Sequence, residues 1–148
     1  MVHRGMLFQD REDAGQRLAP LLARYRDQAP IVLGLPRGGM VVAYQIARAL
    51  GAPLDVWVAR KLGAPVQPEL GVGAIAEGGE VYLDRDIIRM LAISEDELTD
   101  VAEREAAELE RRVRLYRGRG GPPGVRDHTV ILVDDGVATG ATARAALR

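Results

Sequence analysis

The sequence predicts an α/β fold: an open, mostly parallel sheet with flanking helices. Three observations carry this. Val130-Ile131-Leu132-Val133 is a continuous apolar run that leads into Asp134-Asp135, a small-residue loop and an Ala-rich helix. A continuous apolar run reads as a parallel strand covered on both faces. Ile31–Leu35, Met40–Leu50 and Leu54–Ala59 follow one another as strand, helix and strand, with Gly51 as a helix stop, which is the order of a βαβ unit. Finally, 148 residues with 47% hydrophobic content suffice for one domain with a core of its own, taken here as residues 1–148.

The elements follow in order. Asp10 to Tyr25 has Ala14, Leu18, Leu21, Leu22 and Tyr25 near helical spacing, with Asp10 or Asp13 as cap. Pro20 should kink or split that helix. Between the first strand and the Met40–Leu50 helix, Pro36-Arg37-Gly38-Gly39 is a turn. Arg60 to Gly71, with Pro65 and Pro68, reads as a mobile loop. Gly71–Ala76 and Glu80–Leu83 read as strands linked through Glu77-Gly78-Gly79. Asp84–Leu91 is a short helix, and Ser94–Arg117 a long one opened by the capping box Ser94/Glu97. Its apolar stripe is Leu98, Val101, Ala102, Leu109, Val113 and Tyr116, and Glu108/Arg112 and Glu110/Arg114 are i,i+4 pairs on a solvated face. Gly118–Gly124 is a linker. The last helix has only the residues from Gly140 to Arg148 and no returning strand, so the chain is expected to be cut short at its C-terminus, with the last strands of the sheet missing.

Composition excludes several classes of function. The formal net charge is −1, against nucleic-acid binding through bulk charge. Without cysteine there is no disulfide framework or thiolate chemistry. No apolar run approaches the roughly 18 residues of a membrane span, and the charged Met1–Asp10 segment is unlike a signal peptide. A cytoplasmic protein is the expectation. Of 20 basic residues only Lys61 is a lysine, and it follows Arg60 directly after a predicted strand. His3 and His128 lack metal-ligand spacing and read as surface or structural residues, as do Asp84 and Asp86.

Chemistry concentrates in three places. A loop of small residues opening a helix offers free backbone N–H groups at the positive end of the dipole, which suits a phosphate. Beside it, Asp134 and Asp135 suit ribose hydroxyls or a magnesium ion. A Walker A reading fails because no Gly-Lys-Ser/Thr follows. Gly34-Leu35-Pro36-Arg37-Gly38-Gly39 ends one strand and opens a helix; its glycines allow close backbone approach, and the fork of Arg37 suits phosphate oxygens. Arg60-Lys61 is the third. All three lie at carboxyl ends of predicted parallel strands, where open α/β sheets bind ligands.

The Asp-Asp-Gly-Val-Ala-Thr-Gly, Pro-Arg-Gly-Gly and Arg-Lys-x-Gly-Ala-Pro signatures resemble those of the type I phosphoribosyltransferases, over about residues 6 to 148, and in particular a bacterial branch in which some members are fused to a hydrolase domain. The resemblance implies a Rossmann-like fold and 5-phosphoribosyl 1-pyrophosphate (PRPP) as donor. On it, Asp134 and Asp135 bind the ribose hydroxyls and, directly or through ribose or water, Mg²⁺. Gly136, Val137, Ala138, Thr139, Gly140, Ala141 and Thr142 complete the PRPP loop. Arg37, Gly38, Gly39, Arg60 and Lys61 hold the pyrophosphate, with Arg37 and Lys61 as the catalytic pair. The loop at Arg37 often holds a non-proline cis peptide in this family. Leu62–Gly71 resembles the flap that closes over the site, with Glu69 and Glu77 as weaker candidates. Ala138 departs from the family, many members having Asp or Thr there.

The expected function is transfer of a phosphoribosyl group from PRPP, with Mg²⁺, to a nucleobase-like acceptor with release of pyrophosphate. The alternative is a non-catalytic PRPP- or nucleotide-binding regulator, or an inactive fragment. The expected partners are PRPP and the small-molecule acceptor, in a homodimer, with no nucleic acid and no membrane. The segment from Met6 to Arg11 offers no recognisable base reader.

Overall fold

Val32, Leu33 and Gly34 are all buried, so both faces of one strand are covered, as expected of the centre of a parallel sheet. The computed structural model describes residues 7–148. His3 and Met6, named above, lie outside them. Contacts group the described residues into two units, residues 7–56 with 123–136, and residues 57–122 with 137–148.

In the first unit, α1 (Arg11–Leu22) is capped by Asp10, whose side chain accepts from the Asp13 N–H. Pro20 lies inside it, and the helix runs two residues further before tightening into a 3₁₀ turn, Ala23–Gln28. Strand β1 (Ile31–Gly34) leads into α2 (Gly38–Leu50), which ends on Gly51 in the left-handed region. Strand β2 (Leu54–Val56) and strand β6 (Val130–Val133) flank β1, both parallel to it, in the order β2-β1-β6. Ala19 of α1, Val42, Ala43, Ile46, Ala47 and Leu50 of α2, Val32 and Val133 form its core. The apolar run at β6 is less covered than its sequence suggests. Only Val133 is buried and Val130 is exposed, because among the described residues β6 has a neighbour on one side alone.

The second unit corrects the expected second strand. Leu54–Ala59 is not continuous: β2 stops at Val56 and a separate strand, β3 (Ala59–Gly63), begins in another sheet. Strand β3 pairs antiparallel with β4 (Gly71–Ala76), which pairs antiparallel with β5 (Val81–Leu83). The sheet content is therefore half parallel and half antiparallel. Residues 72–76 are all buried, marking β4 as the central strand. Short helix α3 (Arg85–Met90) is capped by Asp84, and α4 (Glu95–Arg117) by the Ser94/Glu97 box. Leu98, Val101 and Leu109 bury the stripe of α4, whereas Tyr116 is exposed. The last helix, α5 (Ala141–Ala146), packs through Ala141, Ala145 and Ala146 near Ala74, Ala76 and Tyr82. Small residues on both sides make that close approach possible.

Candidate functional site

In the first unit, the Gly38-Gly39 loop and the two aspartates meet at the carboxyl ends of neighbouring strands. Strand β1 pairs with β6 through Gly34 and Val133, and the Leu35 N–H extends the pairing by donating to the Val133 carbonyl at 2.8 Å. The turn that opens α2 is thereby pinned beside the chain leaving β6. A β-carbon on Gly39 would lie 2.9 Å from the Val133 oxygen and 3.1 Å from the Asp134 Cα, so only glycine permits this approach. The Pro36–Arg37 peptide bond is cis. Arg37 is exposed at the mouth of α2, and its side chain has no partner among the described residues.

Each aspartate is held by one of its two oxygens. Asp134 Oδ1 accepts the Asp135 backbone N–H at 2.8 Å. Asp135 Oδ2 accepts the Arg11 Nε–H at 2.9 Å, and Arg11 Nη2 stands 2.9 Å from the same oxygen as an ion-pair contact. The second oxygen of each carboxylate lies outside these contacts. The two side chains titrate apart. Burial, reinforced by the neighbouring Asp135 carboxylate and opposed by the Asp135 N–H, pushes Asp134 above the ordinary aspartate range. The Arg11 guanidinium holds Asp135 below it. Arg11 is the site residue the sequence reading missed. Its position at the start of α1, just behind a capping aspartate, carries no signal of a contact across 124 residues of chain.

Among the described residues no group of three or more His, Cys, Asp or Glu forms a metal-binding cluster. Two carboxylates fit a magnesium ion that arrives on the oxygens of a diphosphate substrate.

The remaining residues lie in the second unit. Val137–Thr142 leads into α5; Gly140 has a φ of 81°, and the Ala141 N–H donates to the Thr139 hydroxyl at 3.4 Å. Ala138 and Thr139 are exposed and Thr142 half-buried. Arg60 and Lys61 are not at the carboxyl end of a parallel strand; they lie inside antiparallel β3. Successive strand residues face opposite ways. Arg60 docks on α4 through a 2.6 Å ion pair with Glu105. Exposed Lys61 turns to the other side, over Gly71, and donates to the Glu69 carbonyl at 3.2 Å. The two cations border one cavity but are engaged separately, Arg60 by Glu105 and Lys61 by the Glu69 carbonyl. The expected flap also shortens: Leu62 and Ala64 are buried, and the strand connection is residues 64–70. Glu77 is a buried structural anchor. It accepts from the Val58 N–H at 2.8 Å and pairs with Arg117. His128 is exposed in a turn.

The phosphoribosyl transferase domain family model matches residues 8–148. Two Mycobacterium tuberculosis proteins, from strains CDC 1551 and H37Rv and each named "putative phosphoribosyl transferase", are 49% identical over 141 residues, which is 95% of this chain. The chain spans 32% of the length of these relatives. The solved structure of TT1426 from Thermus thermophilus is 46% identical with a TM-score of 0.70, over 96% of this chain and 67% of that one. No helix among the described residues is long and apolar enough to cross a membrane. With a glycine loop set against paired aspartates at the ends of β1 and β6, and with the family match running over nearly its whole length, this chain belongs to the phosphoribosyl transferase domain family.

Proposed function

We propose that the chain binds PRPP carrying Mg²⁺ and transfers its phosphoribosyl group to a nitrogen of a nucleobase-like acceptor, releasing pyrophosphate. The observation that carries this reading is the pinning of Gly38-Gly39 beside Asp134-Asp135 at the ends of paired strands. That places a close-approach backbone and an unpartnered arginine next to two acceptors.

In this reading the carboxylates of Asp134 and Asp135 between them take the ribose 2- and 3-hydroxyls. Backbone N–H groups of Gly136 to Thr142, with the Thr139 and Thr142 hydroxyls, take the 5-phosphate. The Arg37 fork binds the leaving pyrophosphate, and the bound ion shares in neutralising its charge. Gly38 and Gly39 let that group approach the main chain. Arg60, engaged by Glu105, is left out. Bond breaking at C1 leaves an oxocarbenium-like ribose, so no covalent nucleophile is needed and positioning supplies the catalysis.

A second reading rests on Ala138. Its exposed methyl group can neither accept nor donate a proton where an acidic side chain would reach the acceptor. The chain would then bind PRPP as a non-catalytic regulator. Titration with PRPP and Mg²⁺ by calorimetry, followed by assay of pyrophosphate release with the common bases, separates the two. Binding with release supports transfer. Binding without release for any base supports the regulator, and absence of binding refutes both.

A further inference from the structure

Three groups meet at one point in the first unit. Where a β-carbon on Gly38 would stand, Asp135 Oδ2 lies at 1.9 Å and Arg11 Nε at 2.5 Å. The absent side chain is the space that the Arg11–Asp135 pair fills. Arg11 is itself fixed. Asp10 caps the helix it opens, and the Asp13 carboxylate ties the Gln9 N–H and the Arg17 guanidinium into the same turn. The charge on Asp135 is thus anchored to a helix far away in sequence and pressed on the loop that opens α2.

We propose that Arg11 is a positioning residue for ribose recognition. It holds Asp135 by Oδ2 and so presents Oδ1, beside Asp134, as a preset acceptor for the sugar 2-hydroxyl. This rests on the assignment of the two aspartates to the ribose. Two adjacent carboxylates repel, and an exposed aspartate without an anchor samples several rotamers. Ordering such a side chain on binding costs about 0.5–1.5 kcal/mol. Arg11 removes that cost in advance by setting its guanidinium on a single oxygen, with Nε donating and Nη2 in ion-pair contact, and leaving the other. Lysine cannot do the same, because its ammonium lacks the planar fork.

The test uses the whole chain, with ribose 5-phosphate and 2-deoxyribose 5-phosphate as probes in calorimetric titrations. Wild type should prefer ribose 5-phosphate. Arg11→Gln should weaken ribose 5-phosphate about three- to tenfold and leave 2-deoxyribose 5-phosphate within about twofold, so that the preference shrinks. Arg11→Lys should restore part of it. In an Asp135→Asn background Arg11→Gln should cost nothing further. Thermal unfolding of each variant checks folding, and the lysine variant serves if the glutamine one does not fold. Unchanged preference in both Arg11 variants, equal losses on the two sugars, or additive losses with Asp135→Asn would overturn the role of Arg11 while the ribose assignment stood. A wild-type chain that binds neither sugar phosphate nor PRPP would sink the ribose assignment and this role together.

Discussion

Replacing Gly38 by alanine tests the geometry of the site with a single methyl group. The new β-carbon would sit 1.9 Å from Asp135 Oδ2, 2.5 Å from Asp135 Cγ and 2.5 Å from Arg11 Nε, whereas real contacts essentially never fall under 3.0 Å. The carboxylate oxygen must therefore retreat by about 1.1 Å, the difference between 3.0 and 1.9 Å. Both obstructing groups are ends of flexible side chains, so the backbone has no need to move. In the first turn of a helix, Gly→Ala gains about 0.4–1 kcal/mol from the unfolded chain. Losing a solvent-exposed ion pair costs about 0.2–1 kcal/mol. The melting temperature should thus change little. Binding should not be spared, because a hydrogen bond to a charged group contributes about 1.5–3 kcal/mol and the displaced carboxylate loses it. Differential scanning calorimetry and PRPP titration with Mg²⁺ measure the two arms on one preparation. Wild-type affinity in Gly38→Ala would refute the claim that Asp135 acts from this position. A loss of stability beyond about 2 kcal/mol would show that Gly38 serves the fold instead.

Four further outcomes are expected. Glu77→Ala should cost roughly 3–5 kcal/mol in urea unfolding, since it strips the carboxylate from buried Arg117 and the acceptor from the Val58 N–H; a cost below about 1 kcal/mol would contradict the anchor role. Glu108, hydrogen-bonded by Arg111 and then by Arg112, should titrate at about 2 rather than the usual 4.5 in carboxyl NMR. Because its folded value is lowered, whatever the pairs add to α4 is complete above pH 4.5 and lost as the pH falls towards 2; a midpoint near 4.5 would show that the pairs do not form in solution. Asp134→Asn together with Asp135→Asn should abolish PRPP binding without unfolding the chain. Asp134→Asn alone should leave stability at pH 7 unchanged or raised, because burial disfavours the Asp134 charge in the folded state and that penalty is relieved as pH falls through its raised pKa. Retained PRPP affinity in the double variant would remove the ribose assignment.

Local chemistry was readable wherever a signal is short-range. The Asp10 and Asp84 caps, the Ser94/Glu97 box, the Gly51 stop and the Glu108–Arg112 pair all join residues within four positions, and each appears where the pattern places it. That β1 and β6 are neighbours was not readable, because an apolar run marks a parallel strand without naming its partner. Arg60-Lys61 was read less well. A strand that continues and a strand that breaks at Trp57-Val58 and restarts in a second sheet have the same apolar pattern, and only pairing partners distinguish them. Once the residues sit inside β3, Arg60 is taken up by Glu105 and Lys61 by the Glu69 carbonyl.

From the sequence alone came the family, the order of the elements and the aspartate pair with its glycine loop. These depend on residue types at fixed local spacing, which the chain carries however it packs. The tertiary structure alone decided that Arg11 anchors Asp135, that Glu77 is buried against Arg117, that Arg60 is engaged by Glu105, and that α5 packs near the antiparallel sheet. The three ion pairs join groups 124, 40 and 45 residues apart, with no pattern in the intervening chain. The Arg11–Asp135 pair exists only because the packing of α1, α2 and the strands brings its partners within 3 Å, and it is read from coordinates or not at all.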